Sequence, residues 1–259
     1  MAALLLQSYQ AVWDEALFAG HAVPVALTVA AGSLAYGWWR ARPARSVTRE
    51  LDRPRCRIEV LPGDLFEQAD SHLVIGFTDV FDTDVGDGRI VQKSSVQGQF
   101  LHRIYLDDVA GLDADLGKAL TGIPFTPAAK ALGKRHRYPI GTIATLGEPD
   151  RLFFCVAYSE MDAGLVAQSS ADKLWLSLSR LWAELHDRGQ RRPVAMPIVG
   201  ATLARVDALD REALLRLVLL SFVAASRDRV LTDRLRIVVR PDEFSRLNRA
   251  ELQAFLDSL

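Results

Sequence analysis

The chain has 259 residues, of which 49% are hydrophobic, and its 31 Lys plus Arg against 32 Asp plus Glu give a formal net charge of −1. This length and composition allow one globular domain with a full core and further segments. A nearly neutral chain has no basic field to attract nucleic acid, so we expect no nucleic-acid partner. The two cysteines, Cys56 and Cys155, show no C-x-x-C or Cys/His spacing, which argues against a structural zinc site.

The N-terminal part of the chain has the pattern of a membrane anchor. In residues 16–39 the only strongly polar side chain is His21, and the stretch is long enough to cross a bilayer. Aromatic residues cluster at its end and arginines follow directly, an arrangement that predicts a transmembrane helix with the later residues in the cytoplasm. Residues 1–15 are then an extracytoplasmic or interfacial segment, or the remnant of a first span, and residues 40–56 an arginine-rich linker.

Residues 57–259 show alternating strand and helix patterns. We predict strands at 57–61, 72–77, 151–158, 194–199 and 235–239. Helices are expected after Ser94 and Ser95, after a capping box formed by Ser169 and Asp172, after Asp210, and from Pro241 onward. Strands separated by helices indicate one three-layer α/β domain.

Three loops that follow predicted strands carry the candidate binding residues. Gly63-Asp64 follows the first strand, Thr78 to Thr83 follow the second, and a loop led by Gly200 follows the strand at 194–199. Ligands of α/β sheets bind outside the carboxyl ends of the strands, and a glycine-led loop exposes N–H groups that hold phosphate. We therefore expect a pocket for an anionic nucleotide.

No catalytic or metal-binding motif accompanies these loops. The acidic residues Asp79, Asp82, Asp84 and Asp87 lack the spacing of a calcium-binding EF-hand loop. The sequence contains no G-x-S-x-G, no G-x-G-x-x-G and no Walker A motif. We interpret the protein as a binder without catalytic residues, metal or cofactor.

The motifs resemble a known family. The start Gly63-Asp64-Leu65-Phe66 is similar to the opening of ADP-ribose-binding macro domains, as is the apolar strand that runs into Gly200. The segments VIGFTDVFDT at 74–83, SSVQGQ at 94–99, YPIGT at 138–142 and AYSEM at 157–161 resemble the macro-type domain of membrane-anchored, ThsA-like Thoeris antiphage effectors. Two features depart from that family: Thr202 stands where related loops repeat glycine, and one clear span replaces two.

The resemblance implies a macro-like fold with a central mixed sheet and a set of ligand contacts. Asp64 would accept from the adenine amine, and Thr78, Asp79 and Asp82 would line the ribose or a conjugated amino group. The remaining implied contacts surround these groups, with the loop after the late strand holding the diphosphate. They are Phe77, Phe81, Thr83, Ser94, Ser95, Gln97, Gly98, Tyr158, Gly200, Ala201, Thr202, Leu203, Ala204 and Arg205.

The resemblance also implies a function in antiviral defence. A partner TIR-domain enzyme would consume NAD and make an ADP-ribose-derived signal, with a histidine–ADP-ribose conjugate expected. Binding of this signal by the cytoplasmic domain would trigger homo-oligomer assembly and disruption of the bacterial inner membrane. The alternative is a macro-type hydrolase that acts on ADP-ribose conjugates, and a further alternative is a membrane-tethered binding scaffold.

Overall fold

The computed structural model of the chain describes residues 27, 30–33, 46–53, 55–200 and 209–259. The chain divides into two compact units, Met1–Arg45 and Ser46–Leu259. In the first unit Leu27 and residues 30–33 are helical, while the rest of the predicted span 16–39 and all of the segment 1–15 lie outside the described residues. Among the residues described, no helix combines the length and apolar character needed to traverse a bilayer.

The second unit is built on an eight-stranded sheet. Its strands are β1 Val47–Asp52, β2 Arg55–Pro62, β3 His72–Thr78, β6 Ile143–Glu148, β7 Arg151–Met161, β8 Ala167–Gln168, β9 Val194–Met196 and β10 Arg234–Val239. A separate two-stranded hairpin joins β4 Thr126–Pro127 to β5 His136–Arg137. The order across the large sheet is β1–β2–β10–β9–β3–β7–β6, with β8 paired to β7.

The sheet is mixed. Neighbouring strands from β2 to β7 in this order are parallel, whereas β1, β6 and β8 pair antiparallel. The carboxyl ends of the parallel strands therefore lie at the same end of the sheet, where the loops carry the candidate binding residues.

Helices cover the sheet on both faces. They are α1 Val96–Ile104, α2 Val109–Ala119, α3 Ala171–Arg188, α4 Arg211–Asp228, α5 Pro241–Phe244 and α6 Arg249–Asp257, with a 3-10 turn at Leu65–Glu67. One core lies under α3, α4, α5 and α6, and the other lies under α1 and α2. Strand β7 serves both cores, because Phe154 and Val156 belong to the first while Phe153 and Cys155 belong to the second. The predicted three-layer α/β fold with a mixed sheet is confirmed.

Three details differ from the predicted elements. Ser170, not Ser169, caps α3, because the Ser170 hydroxyl accepts from the Lys173 N–H while the Ser169 hydroxyl donates to the Tyr158 carbonyl at 2.6 Å. The strand predicted at 194–199 ends at Met196. The last predicted helix is broken in two, because the Asn248 side chain caps α6 and starts a new helix there.

Strand β1 lies within the stretch 40–56 that we interpreted as a linker, so the folded unit begins earlier than predicted. Of its residues only Val47 is buried, and the others include Arg49, Glu50 and Asp52. Charged residues are typical of sheet edges because they discourage pairing with other chains. The same charges hide an edge strand from a search for apolar runs.

Candidate functional site

A pocket opens at the carboxyl ends of the parallel strands β3, β7, β9 and β10. The α/β sheets of other proteins also bind ligands outside the carboxyl ends of their strands. Its walls come from these strand ends, from β8, and from the loop before α1. The lining residues are Gly76, Phe77, Thr78, Gln92, Ser94, Ser95, Val96, Gln97, Tyr158, Ser159, Ala167, Pro197, Ile198, Val199, Gly200, Arg240 and Glu243.

Several of the predicted ligand residues come together here. They are Phe77, Thr78, Ser94, Ser95, Gln97, Tyr158 and Gly200. The structure thus brings residues from four separate parts of the sequence into one concavity. Their contact with a ligand stays a prediction.

The N-terminus of α1 forms one wall of the pocket. Ser95 caps the helix, since its hydroxyl oxygen accepts from the Gly98 N–H at 3.0 Å. The N–H groups of a first helical turn lack intrahelical partners, and the helix dipole is positive at this end. Gly98 permits this turn, because a Cβ there would lie 2.4 Å from the Gln92 carbonyl oxygen. This wall has the chemistry of an anion site.

The segment after β9 forms another wall. Ile198 and Val199 are buried, and Gly200 has a φ of +85°, in the left-handed region that favours glycine. Residues 201–208 lie outside the described part of the chain. The predicted diphosphate contacts of Ala201, Thr202, Leu203, Ala204 and Arg205 therefore stay predictions.

Tyr158 is placed in the pocket by an irregularity of the sheet. The β3–β7 register pairs Phe77 with Ala157 but Thr78 with Ser159, so Tyr158 is the extra residue of a bulge. Its ring lies against Gly76, where a Cβ would stand 2.6 Å from the Tyr158 Cε1 atom. Burial raises the pKa of Tyr158 to about 12.

Two charged residues of the pocket were missed by sequence reasoning. Arg240 follows the last residue of β10 and its side chain is 70% exposed, with Asp242 at 3.3 Å as an ion-pair partner. Glu243 forms an ion pair with Arg211. The position of Arg240 directly after a predicted strand was the available signal, because that placement is the one that marked the other candidate residues.

Asp64 also lies at the carboxyl ends of the parallel strands but outside the lining of this pocket. The neighbouring Gly63 N–H donates to the Val239 carbonyl at 2.9 Å, which places this loop beside the end of β10. The Asp64 carboxylate accepts from the Phe66 N–H at 2.8 Å and forms an ion pair with Arg103. Its present role is to cap the 3-10 turn, and the predicted adenine contact stays a prediction.

Asp79 also has internal partners. Its carboxylate accepts from the Met161 N–H at 3.0 Å and lies 2.8 Å from an Arg137 guanidinium nitrogen. Burial raises the pKa of the Asp79 carboxyl, and the Met161 N–H and Arg137 oppose this effect. Asp79 faces a second cavity rather than the first.

Phe81, Asp82 and Thr83 support the pocket from behind. Phe81 stacks on Phe77, with ring centroids 5.5 Å apart, and has a φ of +50°. Asp82 forms a buried ion pair with Lys130, and the Thr83 hydroxyl donates to Asp113 at 2.6 Å. The Gln97 side-chain amide donates to the Asp82 carbonyl, so this segment holds a lining residue in place.

Solved structures of macrodomains share this fold. A mutant of the Oceanobacillus iheyensis macrodomain superposes with a TM-score of 0.57 at 9% sequence identity, covering 83% of this chain and 100% of that chain. The same macrodomain with ADP superposes with a TM-score of 0.54 at 10% identity, covering 83% and 98%. The form with MES bound gives a TM-score of 0.55 at 10% identity, covering 83% and 98%. At these identities the likeness shows the fold alone.

Family membership rests on the sequence itself. No curated protein matches the chain. The family described as the Thoeris protein ThsA, Macro domain, matches residues 58–240, which is more than half of the chain. This range contains most of β2, the sheet strands from β3 to β10, and every lining residue of the pocket except Glu243. The chain therefore belongs to the ThsA macro-domain family of Thoeris proteins.

Proposed function

We propose that the unit Ser46–Leu259 binds an ADP-ribose derivative in the pocket at the carboxyl ends of β3, β9 and β10. The observation that carries this proposal is the convergence of three anion-binding elements on one concavity. These are the N-terminus of α1 at Ser95, the left-handed Gly200, and the exposed guanidinium of Arg240. Helix N-terminal N–H groups and guanidinium groups both bind phosphate oxygens, so together they suit a diphosphate.

Membership in the ThsA macro-domain family supports a role in signalling. In this proposal a partner TIR-domain enzyme converts NAD into the ligand, for which a histidine–ADP-ribose conjugate is our first candidate. Binding favours an assembled state of the effector, and the anchor predicted at residues 16–39 then disrupts the inner membrane. Such a switch requires that the ligand bind the assembled state more tightly than the resting state.

The binding function is tested on the full-length chain in detergent by calorimetric titration with ADP-ribose, its histidine conjugate, NAD and ATP. We expect the conjugate and ADP-ribose to bind and NAD to bind weakly. The variant Arg240→Ala removes the exposed cation of the pocket and should weaken binding by about tenfold, or ~1.4 kcal/mol. Arg53→Ala is the matched control, because Arg53 is exposed in the turn between β1 and β2, at the amino end of β2 and away from the pocket. Absence of binding to every ADP-ribose compound would refute the proposal.

Two further experiments address the rest of the mechanism. Incubation of the protein with the conjugate, followed by chromatography, should recover the ligand intact, whereas accumulation of ADP-ribose beyond one equivalent would favour the hydrolase.

Co-expression with an activating TIR enzyme should depolarise the cells in a manner that depends on Arg240. Binding without depolarisation would reduce the protein to a membrane-tethered scaffold.

A further inference from the structure

An arginine-lined cavity lies at the amino ends of β2 and β10. Its seven lining residues are Glu50, Arg55, Cys56, Arg57, Arg191, Asp233 and Arg234. The four guanidinium groups exceed the two carboxylates by two charges, although the formal net charge of the chain is −1. Arg234 begins β10 and Arg240 follows its last residue, so about 20 Å of strand, at about 3.3 Å per residue, separates this cavity from the ADP-ribose pocket.

Backbone hydrogen bonds fix the positions of these arginines. The Arg57 N–H donates to the Asp233 carbonyl, and the Asp233 N–H donates to the Arg191 carbonyl, both at 3.0 Å. Arg234 is the register partner of Arg57 on the parallel strand β10, and neighbouring strands lie about 4.8 Å apart. The sheet itself therefore holds three of the four arginines close together.

The charge pattern across β2 and β10 changes at this cavity. Glu59 lies opposite Arg236 and forms an ion pair with it at 3.3 Å, and the same carboxylate lies 2.8 Å from the Arg57 Nε. At the preceding position on the same face, Arg57 lies opposite Arg234. Like charges directly opposite each other on neighbouring strands are destabilising. One carboxylate is thus shared between two arginines, and an anion beside Arg234 would neutralise the remaining positive charge.

Several of the guanidinium groups are available to a ligand. Within the ranges that the structure describes, the side chains of Arg55 and Arg234 form no ion pair or hydrogen bond, and the Glu50 carboxylate forms no ion pair. Arg191 pairs with Asp233 at 2.8 Å, but these side chains are 59% and 61% exposed. Exposed ion pairs contribute little stability, so Arg191 can turn to another acceptor at small cost.

We propose that the arginine-lined cavity binds a terminal phosphate group, as inorganic phosphate, pyrophosphate or a phosphomonoester. Such a group carries a charge of about −1.5 to −2 at neutral pH, which matches the excess of two positive charges in the lining. Guanidinium groups bind phosphate oxygens in bidentate pairs, and Arg55 and Arg234 supply two of them without losing an existing partner. The inference is independent of the proposed ADP-ribose site.

The test measures thermal unfolding of the full-length chain in a non-ionic detergent, with inorganic phosphate or pyrophosphate replacing chloride at constant ionic strength. We expect a saturable rise in the unfolding midpoint, because a ligand that binds only the folded state stabilises it. The double variant Arg55→Gln/Arg234→Gln should weaken the apparent affinity by about tenfold or more. Its control, Arg135→Gln/Arg180→Gln, removes the same charge at exposed positions outside the cavity and should keep the response.

Stability in chloride provides a second readout. Arg234→Gln should be at least as stable as wild type in chloride, because it removes one of two like charges on neighbouring strands, but it should gain less from phosphate. An arginine with a purely structural role would lose stability to the same extent in both anions, and that result would overturn the inference.

The remaining outcomes identify where an anion binds. Loss of the phosphate response in Arg240→Ala, but not in the Arg55/Arg234 double variant, would place phosphate in the ADP-ribose pocket and overturn the inference. The absence of any response in wild type would also overturn it. Stabilisation by phosphatidylglycerol added to the micelles, through Arg55 and Arg234 but without a response to phosphate, would show that the cavity recognises a lipid phosphodiester instead.

ADP-ribose titration separates this inference from the proposed function. The double variant should keep its affinity for ADP-ribose within about twofold, because substitutions at distant sites without shared partners act independently. Failure of ADP-ribose binding in wild type would therefore leave the phosphate response intact, and loss of the phosphate response would leave ADP-ribose binding intact.

Discussion

Asp82 and Lys130 form an ion pair in which the side chains are 2% and 0% exposed. The Asp82 carboxylate also accepts from the Lys134 N–H at 2.7 Å, so the pair fastens the 128–134 loop to the end of the segment after β3. Removal of one partner of a buried ion pair leaves a charge without compensation, which costs far more than an exposed pair contributes. We therefore expect Asp82 to contribute mainly to the stability of the fold.

We predict that Asp82→Asn and Lys130→Met each lower the free energy of unfolding by about 3 kcal/mol. In the double variant no unpaired charge remains, so part of that loss should be recovered. Denaturant unfolding followed by circular dichroism measures all three. A variant Asp82→Asn of unchanged stability that no longer binds ADP-ribose would instead assign Asp82 to the ligand.

The elements around His72 are joined through its ring. His72 stands at the start of β3, its Nδ1 accepts from the Leu152 N–H of β7 at 3.0 Å, and its Nε2–H donates to the Gly189 carbonyl at the end of α3 at 3.1 Å. The side chain is fully buried, and burial lowers the pKa of the imidazole below its ordinary value of 6.5. A protonated ring could not accept from Leu152, so the three elements depend on the neutral form.

This linkage predicts a loss of stability in acid. Below pH 6.5 the unfolded chain takes up a proton at His72 while the folded chain resists it, so the contribution is complete above pH 6.5 and falls as pH decreases towards the folded pKa. Wild type and His72→Gln are compared by denaturant unfolding between about pH 7.5 and 5. The variant should be less stable at neutral pH but show a flatter slope. Equal slopes would mean that groups other than His72 cause the acid loss.

Strand β1, at the start of the unit Ser46–Leu259, contributes to the stability of the whole unit. Strand β1 pairs with β2 along its full length, from Val47 opposite Val60 to Asp52 opposite Arg55. Val47 is 3% exposed, and the Gln253 side chain of α6 donates to the Thr48 carbonyl at 3.2 Å. A fragment that starts at residue 57 would lack these contacts and expose the edge of β2.

We expect a chain starting at Ser46 to unfold at a clearly higher temperature than one starting at Arg57. Loss of the Val47 burial alone costs about 1.5–3 kcal/mol, which corresponds to about 3–12 °C in a unit of this size. Thermal unfolding and size-exclusion chromatography of the two fragments provide the measurement. Identical midpoints and elution volumes would show that β1 is dispensable.

Much of the fold was predictable from local patterns. Strand β7 could be predicted because both of its faces are buried and its sequence is therefore a continuous apolar run. Ser95 and Asp210 cap helices where predicted. These features depend on residues close in sequence, so propensity and periodicity suffice to find them. The split of the last helix at Asn248 and the charged strand β1 depend instead on packing against other elements, and they were missed.

The sequence by itself determined the three-layer class, the loops that carry the candidate site, and the family resemblance that the family match confirms. Only the tertiary structure decided which carboxylates are available, because Asp79 and Asp82 meet Arg137 and Lys130 from distant parts of the chain. It also brought Arg240 into the same pocket as Ser95 and Gly200. The physical reason is that burial and ion pairing depend on which strand ends the sheet order places side by side, and local sequence does not encode that order.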